Sequence, residues 1–150
     1  MIWLVRHTEA HDGSPDAERE LTEKGAQDAQ TIADALGRLA VEVQGCVASP
    51  KVRARETARP ICERLGHELI EDDRLAGGPF DPQDVAGEVG EHAILVGHEP
   101  DLSMAVHGSA GAQVRLPKGA VVGVHRGELK VLLRLTELRA LAQPGPVDPG

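Results

Sequence analysis

The feature that most constrains this chain is an apolar segment at its beginning that stops abruptly at two polar residues. Residues 2–5 form a continuous run rich in β-branched and aromatic side chains, which is typical of a strand buried on both faces of a parallel or mixed sheet. Arg6 and His7 follow directly, so a guanidinium and an imidazole are predicted at the carboxyl end of this strand. Ligands bind at that edge in open α/β sheets. By itself the pattern also fits a strand that merely ends at two polar residues.

The same arrangement recurs at two later predicted strands, which favours the functional interpretation. Residues 43–48 end at Ser49 and Pro50, where we expect Ser49 to be the N-cap of a helix and Pro50 its first residue. Residues 93–96 form a second continuous apolar run, which is followed by Gly97 and His98. Three strands therefore each deliver a polar group to one edge of the predicted sheet.

The residue types at this edge suit a phosphoryl group. Arg6 and Arg53, the latter one helical turn past Ser49, can bind oxygen atoms in a bidentate manner. His7 and His98 add two imidazoles, and the start of a helix near residue 49 adds unpaired N–H groups and a partial positive charge. Together these groups predict an anion-binding cradle that fits one phosphoryl group.

Helical and strand patterns alternate along the rest of the chain. We predict further strands at 67–71, 112–117, 120–126 and 128–136, with a hairpin turn near Arg126-Gly127. We predict one helix from the N-cap Thr22 to about 40 and a second from 49 to about 65, with a kink or break at Pro60. Two shorter helices are predicted at 83–90 and from 100 or 101 to 106 or 107. This order indicates an α/β fold, a three-layer α/β/α sandwich with a mostly parallel, mixed sheet and helices on both faces. We expect one domain over residues 1–142 and a flexible tail at 143–150, which is rich in proline and glycine.

Composition narrows the classes of partner. Acidic residues number 24 and basic residues 16, a net charge of −8, which disfavours a nucleic acid or an anionic membrane as partner. No apolar run is long enough to span a membrane, and the apolar start is too short for a signal peptide, so we expect a cytoplasmic protein. Cys46 and Cys62 are interpreted as buried thiols. The histidines have no metal-ligand spacing, so no metal site and no cofactor are expected.

Four segments in order carry a family resemblance. Leu-Val-Arg-His-Thr at 4–8, Leu-Thr-Glu-Lys-Gly at 21–25, Ser-Pro-Lys-Val-Arg-Ala-Arg-Glu-Thr-Ala at 49–58 and Val-Gly-His-Glu-Pro at 96–100 together resemble the histidine phosphatase superfamily, which is also called phosphoglycerate-mutase-like. The short length, and Arg19 two residues before Leu21, resemble its small SixA-type branch of phosphohistidine phosphatases. The resemblance spans residues 1 to about 136.

The resemblance implies roles for the residues of the cradle. His7 would be the nucleophile, forming a phosphohistidine intermediate, and Arg6, Arg53 and His98 would hold the phosphoryl oxygens. Arg19 would lie near the mouth of the pocket, either against phosphate or substrate or as a surface charge. No metal is required, because the arginines supply positive charge.

The resemblance leaves two alternative roles open for each of two residues. Thr8 stands where the family usually has glycine, and its hydroxyl either touches the phosphate or caps the loop. Glu99 follows the second histidine, as the general acid does in the acid-phosphatase-like branch, but it also fits a plain helix N-terminal charge. Ser49 is a further candidate for substrate binding. A phosphohistidine substrate needs little acid assistance, because its imidazole is already a good leaving group.

The sequence thus predicts a metal-independent phosphatase that acts on phosphohistidine in a partner protein. A small phosphorylated metabolite or nucleotide is the alternative substrate. A mutase is less favoured, because it must keep its intermediate from water and this chain is short. A non-catalytic phosphate-binding module is the competing hypothesis from a different functional class.

Overall fold

A mixed sheet forms the centre of the molecule. The computed structural model describes residues 1–144, so the tail predicted for 143–150 lies, from residue 145, outside the described residues. The strands are β1 (Ile2–Arg6), β2 (Gly45–Ala48), β3 (Leu69–Glu71), β4 (Ala93–Gly97), β5 (Val121–His125) and β6 (Glu128–Leu133). Their order across the sheet is β3-β2-β4-β1-β5-β6. The first four are parallel, β5 is antiparallel to β1, and β6 is antiparallel to β5.

Helices cover both faces of this sheet. They are α1 (Glu23–Arg38), α2 (Val52–Leu65), α3 (Pro82–Ala86), α4 (Asp101–Ala110) and α5 (Leu135–Ala142), with short 3-10 helices at Asp16–Glu18 and Asp73–Leu75. Alternation along β1 sends Trp3 and Val5 into a core with α1, α2 and α5, and Ile2 and Leu4 into a second core with α3 and α4. The predicted three-layer α/β/α fold with a mostly parallel sheet is confirmed.

Local signals in the sequence mark the start of α1 and the β5–β6 hairpin correctly. Thr22 is the N-cap of α1, and its side chain accepts a hydrogen bond from the backbone N–H of Gly25. Arg126 and Gly127 form the hairpin turn with φ values of 50° and 74°, as a two-residue hairpin turn requires.

The expected N-cap of α2 is wrong by two residues. The helix begins at Val52 and Lys51 is its cap residue, because the Ser49 hydroxyl accepts the N–H of Lys51 in a turn before the helix. Of the kink or break predicted at Pro60, the break is wrong, since α2 is continuous through that residue. Its buried side chains, such as Ile61, pack in the same core as α1, and this tertiary packing outweighs the hydrogen bond that proline cannot donate.

Two predictions near the C-terminus are also wrong. Residues 112–117 form a connection rather than a strand. The strand predicted to end at 136 ends at Leu133, and residues 135–142 are helix α5. Its start is stabilised by the Glu137 carboxylate, which accepts the N–H of Arg134, and Leu138 is fully buried. In the part of the chain described, no helix combines the length and the hydropathy that crossing a membrane requires.

Candidate active site

The carboxyl ends of β1, β4 and β2 bring the predicted site residues together. Ladder hydrogen bonds continue past the strands: the N–H of His7 donates to Gly97 O at 3.1 Å, and the N–H of Ser49 donates to Val96 O at 3.0 Å. The rings of His7 and His98 lie with their centroids 5.2 Å apart. Pairing of parallel strands therefore fixes the relative positions of three side chains that are far apart in sequence.

The His7 imidazole is oriented and kept neutral by its surroundings. Its Nδ1 lies 2.8 Å from the carbonyl oxygen of Thr8, and a carbonyl can only accept, so Nδ1 carries the proton and Nε2 keeps its lone pair. Burial lowers the pKa of His7 to about 4, and the charges of Arg53, Arg6 and Lys118 act in the same direction. A neutral imidazole with a free Nε2 is the form of histidine that can act as a nucleophile.

His98 is likewise held neutral. Burial lowers its pKa to about 3, with further lowering from His7, Arg53 and Lys51. Its Nε2 lies 2.8 Å from the hydroxyl of Ser49, whereas its Nδ1 is buried without a hydrogen-bond partner. The contacts of Ser49 are thus with His98 and with the backbone of Lys51.

Both arginines of the cradle are anchored at one edge only. Arg6 Nη1 donates to the carbonyl of Leu116 at 2.9 Å. Arg53 Nη1 donates to the carbonyl of Asp16 at 2.8 Å, and its Nη2 donates to the Asp16 carboxylate at 3.1 Å. The Nε atom of each arginine is buried and has no partner among the described residues.

Such partnerless buried atoms are concentrated at this place. Only four occur among residues 1–144: Arg6 Nε, Arg53 Nε, Arg55 Nε and His98 Nδ1. Arg55 Nε lies 3.7 Å from a Glu71 carboxylate oxygen; the other three belong to the predicted cradle. Because buried polar groups in folded proteins nearly always have partners, three orphaned ring or guanidinium nitrogens together indicate a preformed binding site for an anion.

The hydroxyl of Thr8 is engaged within the protein. It donates to the carbonyl of Gly25 at 2.7 Å and lies 3.3 Å from the hydroxyl of Thr57, which also accepts the N–H of Thr8 at 3.1 Å. Thr8 is fully buried. Of the two alternatives for this residue, the observed contacts agree with the one in which the hydroxyl ties down the loop.

The Glu99 carboxylate also forms its hydrogen bonds within the protein. It accepts the backbone N–H of Ser103 in the first turn of α4 and the N–H of Leu116 at 3.3 Å, and it bonds the Ser103 hydroxyl. These contacts agree with the alternative of a helix N-terminal charge. They also connect α4 to the segment whose carbonyl binds Arg6.

Asp16, Lys51 and Lys118 were missed by the sequence reasoning. The Asp16 carboxylate lies between Arg19 (3.1 Å), Arg53 (3.1 Å) and Lys51 (3.3 Å), so Arg19 is linked to the cradle through Asp16. The backbone of Gly119, next to Lys118, donates to the carbonyls of Arg6 and His7. The proximity of Lys51 to Ser49 was the only available signal, because contacts between loops leave no periodicity in a sequence. Among the described residues, no group of three or more His, Cys, Asp or Glu side chains could hold a metal ion.

The lowered histidine pKa values predict the response of this protein to acid. Below pH 6.5 the unfolded chain takes up protons on these histidines while the folded chain does not, so the free energy of unfolding falls as the pH decreases from 6.5 towards about 4. Activity that depends on neutral His7 should persist to about pH 5. Denaturant titrations from pH 7 to 4.5, and a pH profile of kcat/KM, measure both effects. A decrease of kcat/KM on the acid side that is centred near pH 6.5 would contradict a neutral, buried His7. As a control for stability, His7→Gln should make the free energy of unfolding less dependent on pH.

Comparison with known proteins agrees with this geometry. The model of the histidine phosphatase superfamily (branch 1) matches residues 2–81. An uncharacterized protein of Picosynechococcus sp. is 28% identical over 144 residues, which covers 87% of each chain.

Two solved structures share the fold at low sequence identity. The protein histidine phosphatase SixA, in complex with tungstate, has a TM-score of 0.77 and 20% identity, covering 91% of this chain and 98% of that one. A phosphoserine phosphatase of Entamoeba histolytica, in complex with 3-phosphoglyceric acid, has a TM-score of 0.66 and 16% identity, covering 87% and 93%. The predicted family resemblance is confirmed: the chain belongs to branch 1 of the histidine phosphatase superfamily and is a phosphatase of that superfamily.

Proposed function

We propose that this protein hydrolyses phosphohistidine on a partner protein, without a metal, through a phosphohistidine intermediate on His7. The observation that carries the proposal is the arrangement around His7: a neutral imidazole with a free Nε2, beside three buried nitrogens without partners on Arg6, Arg53 and His98. A tetrahedral phosphoryl group satisfies these nitrogens with its oxygens while presenting phosphorus to Nε2.

The first step forms one bond and breaks one. The lone pair of His7 Nε2 attacks phosphorus in line with the leaving nitrogen, and the P–N bond of the substrate breaks with its electron pair staying on the departing ring. The other nitrogen of that ring carries a proton, so a neutral imidazole leaves. Negative charge on the equatorial oxygens is held by the Nε groups of Arg6 and Arg53. The Ser49 hydroxyl accepts the N–H of Lys51. In the tautomer of His98 that carries its proton on Nδ1, the same hydroxyl donates to Nε2, and the Nδ1–H donates to the phosphoryl oxygens.

The second step regenerates the enzyme. Water attacks phosphorus from the side opposite His7 and passes a proton to a phosphoryl oxygen, while the bond between phosphorus and Nε2 breaks and its electrons return to the imidazole as a lone pair, so that neutral His7 and dihydrogen phosphate result. The Thr8 carbonyl holds the Nδ1 proton throughout, which keeps the ring in the same tautomer for both steps.

The surroundings of the leaving group favour phosphohistidine over a phosphate ester. An alkoxide needs a proton from a general acid, but the Glu99 carboxylate is occupied by the N–H groups of Ser103 and Leu116. Hydrogen bonds from Arg19 and Arg53 hold the pKa of Asp16 far below its usual range, so that carboxylate is ionised. An imidazole leaving group requires little such help, and this is the chemistry that the available residues support.

Two cavities of the molecule lie away from the nucleophile. One cavity of about 480 Å³ lies beside Phe80 and Met104, and another of about 680 Å³ lies beside Met1 and His92. Neither is lined by His7 or by the other cradle residues, so the choice of substrate depends on the groups around the nucleophile.

One observation favours a second candidate, a small phosphorylated metabolite. Lys118 is exposed, lies close enough to His7 to lower its pKa, and makes no hydrogen bond or ion pair among the described residues. Its ammonium group could hold a second anionic group of a small substrate, such as a carboxylate. The structural neighbour from Entamoeba histolytica contains 3-phosphoglyceric acid, which carries both groups.

One assay distinguishes the two candidate substrates. Phosphate release is measured from a phosphohistidine-bearing protein and from a panel of phosphate esters, with a chelator present. We expect turnover of phosphohistidine at a kcat/KM at least about 100-fold above that of the esters, corresponding to about 2.7 kcal/mol of transition-state discrimination. Faster turnover of an ester would instead support the metabolite, and loss of activity on chelation would overturn the metal-independent mechanism. Phosphate binding without turnover of any substrate would support the competing hypothesis of a non-catalytic phosphate-binding module.

A further inference from the structure

We propose that Asp16 is a positioning residue for phosphoryl transfer: it holds the terminal nitrogens of Arg53, so that the Nε edge of that guanidinium is presented to the phosphoryl oxygens. The proposal rests on the function proposed above and adds a residue to its site. Asp16 lies in the 3-10 helix Asp16–Glu18, which precedes α1, and it is 37 residues from Arg53 in sequence.

The argument begins with the shape of a guanidinium group. Its planar fork has one edge formed by the two Nη atoms and another formed by Nε and one Nη. At Arg53 the first edge is filled by Asp16, which accepts from Nη1 with its backbone carbonyl and from Nη2 with its carboxylate. Arg53 Nε is buried and free. Two anchors on one edge fix the plane of the group, and only the second edge remains available for an oxyanion.

The same carboxylate orders two more cations at the rim. Arg19 donates to it at 3.1 Å and Lys51 lies 3.3 Å away. Arg19 is fixed further, because its Nε donates to the carbonyl of His11 at 2.7 Å. The 3-10 helix itself has no buried residue, so apolar packing does not determine its position. Polar contacts around Asp16 therefore align the segment with α2.

Removal of the Asp16 charge has opposite effects on geometry and on electrostatics. Arg53 would keep only its bond to the Asp16 carbonyl, so the guanidinium could turn and its Nε–H would lose alignment. At the same time three cations would lose their shared anion, and the site would become more positive. A positioning role therefore predicts slower turnover without weaker phosphate binding, whereas a residue that only maintains the fold would affect both.

Asp16→Asn tests this prediction, with Glu18→Gln as the matched control. Glu18 is an exposed acid of the same 3-10 helix, and its side chain makes no hydrogen bond or ion pair among residues 1–144. We expect Asp16→Asn to lower kcat for the phosphohistidine protein by about 10- to 100-fold. The inhibition constant of inorganic phosphate should stay the same or decrease. Glu18→Gln should remain within about twofold of the wild type in both measurements, and it removes the same amount of charge.

Three outcomes would overturn the proposal. An unchanged kcat would show that Arg53 is aligned without Asp16. A parallel loss of kcat, phosphate binding and melting temperature would assign Asp16 to the fold alone. A higher kcat would mean that Asp16 competes with the substrate for Arg53 instead of positioning it.

A second measurement does not depend on turnover, so it separates failure of this inference from failure of the proposed function. In ¹H–¹⁵N NMR spectra, the Nε–H signal of Arg53 should be sharp and slow to exchange in the wild type, and assignment follows from its loss in Arg53→Lys. We expect Asp16→Asn to broaden this signal or accelerate its exchange, and Glu18→Gln to leave it unchanged. An unchanged signal in Asp16→Asn would refute the positioning role even if the protein hydrolysed none of the phosphoryl substrates tested.

Discussion

His7→Ala is expected to lower the rate of phosphoryl transfer by about 10⁴-fold or more, the scale seen when a covalent nucleophile is removed. His98 cannot substitute for it, because His98 Nε2 is engaged by the Ser49 hydroxyl and, in the proposed mechanism, its Nδ1 carries the proton that is donated to the anion. Phosphate release from a phosphohistidine protein measures the loss. Brief incubation with a labelled substrate, followed by alkaline denaturation, should trap a phosphoenzyme in the wild type and none in the variant.

Two controls make this result specific to the nucleophile. His107→Ala removes an exposed histidine of α4 and should leave turnover within about twofold of the wild type. His7→Ala should still bind inorganic phosphate, because Arg6, Arg53 and His98 retain the nitrogens that face the anion. A phosphoenzyme that persists in His7→Ala would assign the nucleophile to another residue and remove the basis of the proposed mechanism.

The central part of this site could be predicted because strand ends are visible in a sequence. Continuous apolar runs stop at Arg6 and before His98, and parallel pairing of β1 with β4 places Arg6 directly opposite Gly97. Once the sheet is predicted, the proximity of these residues follows from its geometry. Residues that act on such side chains from loops are a different case. Asp16 reaches Arg53 only because the chain folds back over α2, and no local pattern encodes that contact.

The roles of Thr8 and Glu99 show why the residue type alone left two alternatives. A threonine hydroxyl can donate to a phosphate or to a carbonyl, and the carbonyl of Gly25 comes within 2.7 Å of it. A glutamate can donate a proton or accept N–H groups, and the N–H groups of Ser103 and Leu116 are within its reach. In both cases the partner is a backbone atom, whose position depends on the tertiary structure and not on the identity of its residue.

Gly25→Ala is expected to destabilise the protein by about 2–4 kcal/mol, because overpacking here meets backbone that cannot move independently. A Cβ at this position would lie 2.0 Å from the carbonyl oxygen of Glu9. That carbonyl already accepts the N–H of Thr22, so the loop after the site and the start of α1 are tied at the point of the clash. The melting temperature should fall by roughly 3 °C per kcal/mol in a chain of this length.

The substitution should also affect catalysis at temperatures where the variant is folded. The hydroxyl of Thr8 donates to the carbonyl of Gly25, so displacement of α1 from the loop moves Thr8, and the carbonyl of Thr8 orients His7. We expect kcat to fall by about tenfold or more well below the melting temperature, since small misplacements of reacting groups are costly.

Gly108→Ala is the matched control for this prediction. Gly108 is also a helical glycine, but a Cβ there would meet no atom within 4 Å. Alanine should therefore stabilise α4 by about 0.5–1 kcal/mol and leave turnover unchanged. Equal effects of the two substitutions on stability would contradict the close approach at Glu9. A destabilised Gly25→Ala with wild-type kcat would show that the loop can shift without moving His7, and the contact between Thr8 and Gly25 would then support the fold without orienting the nucleophile.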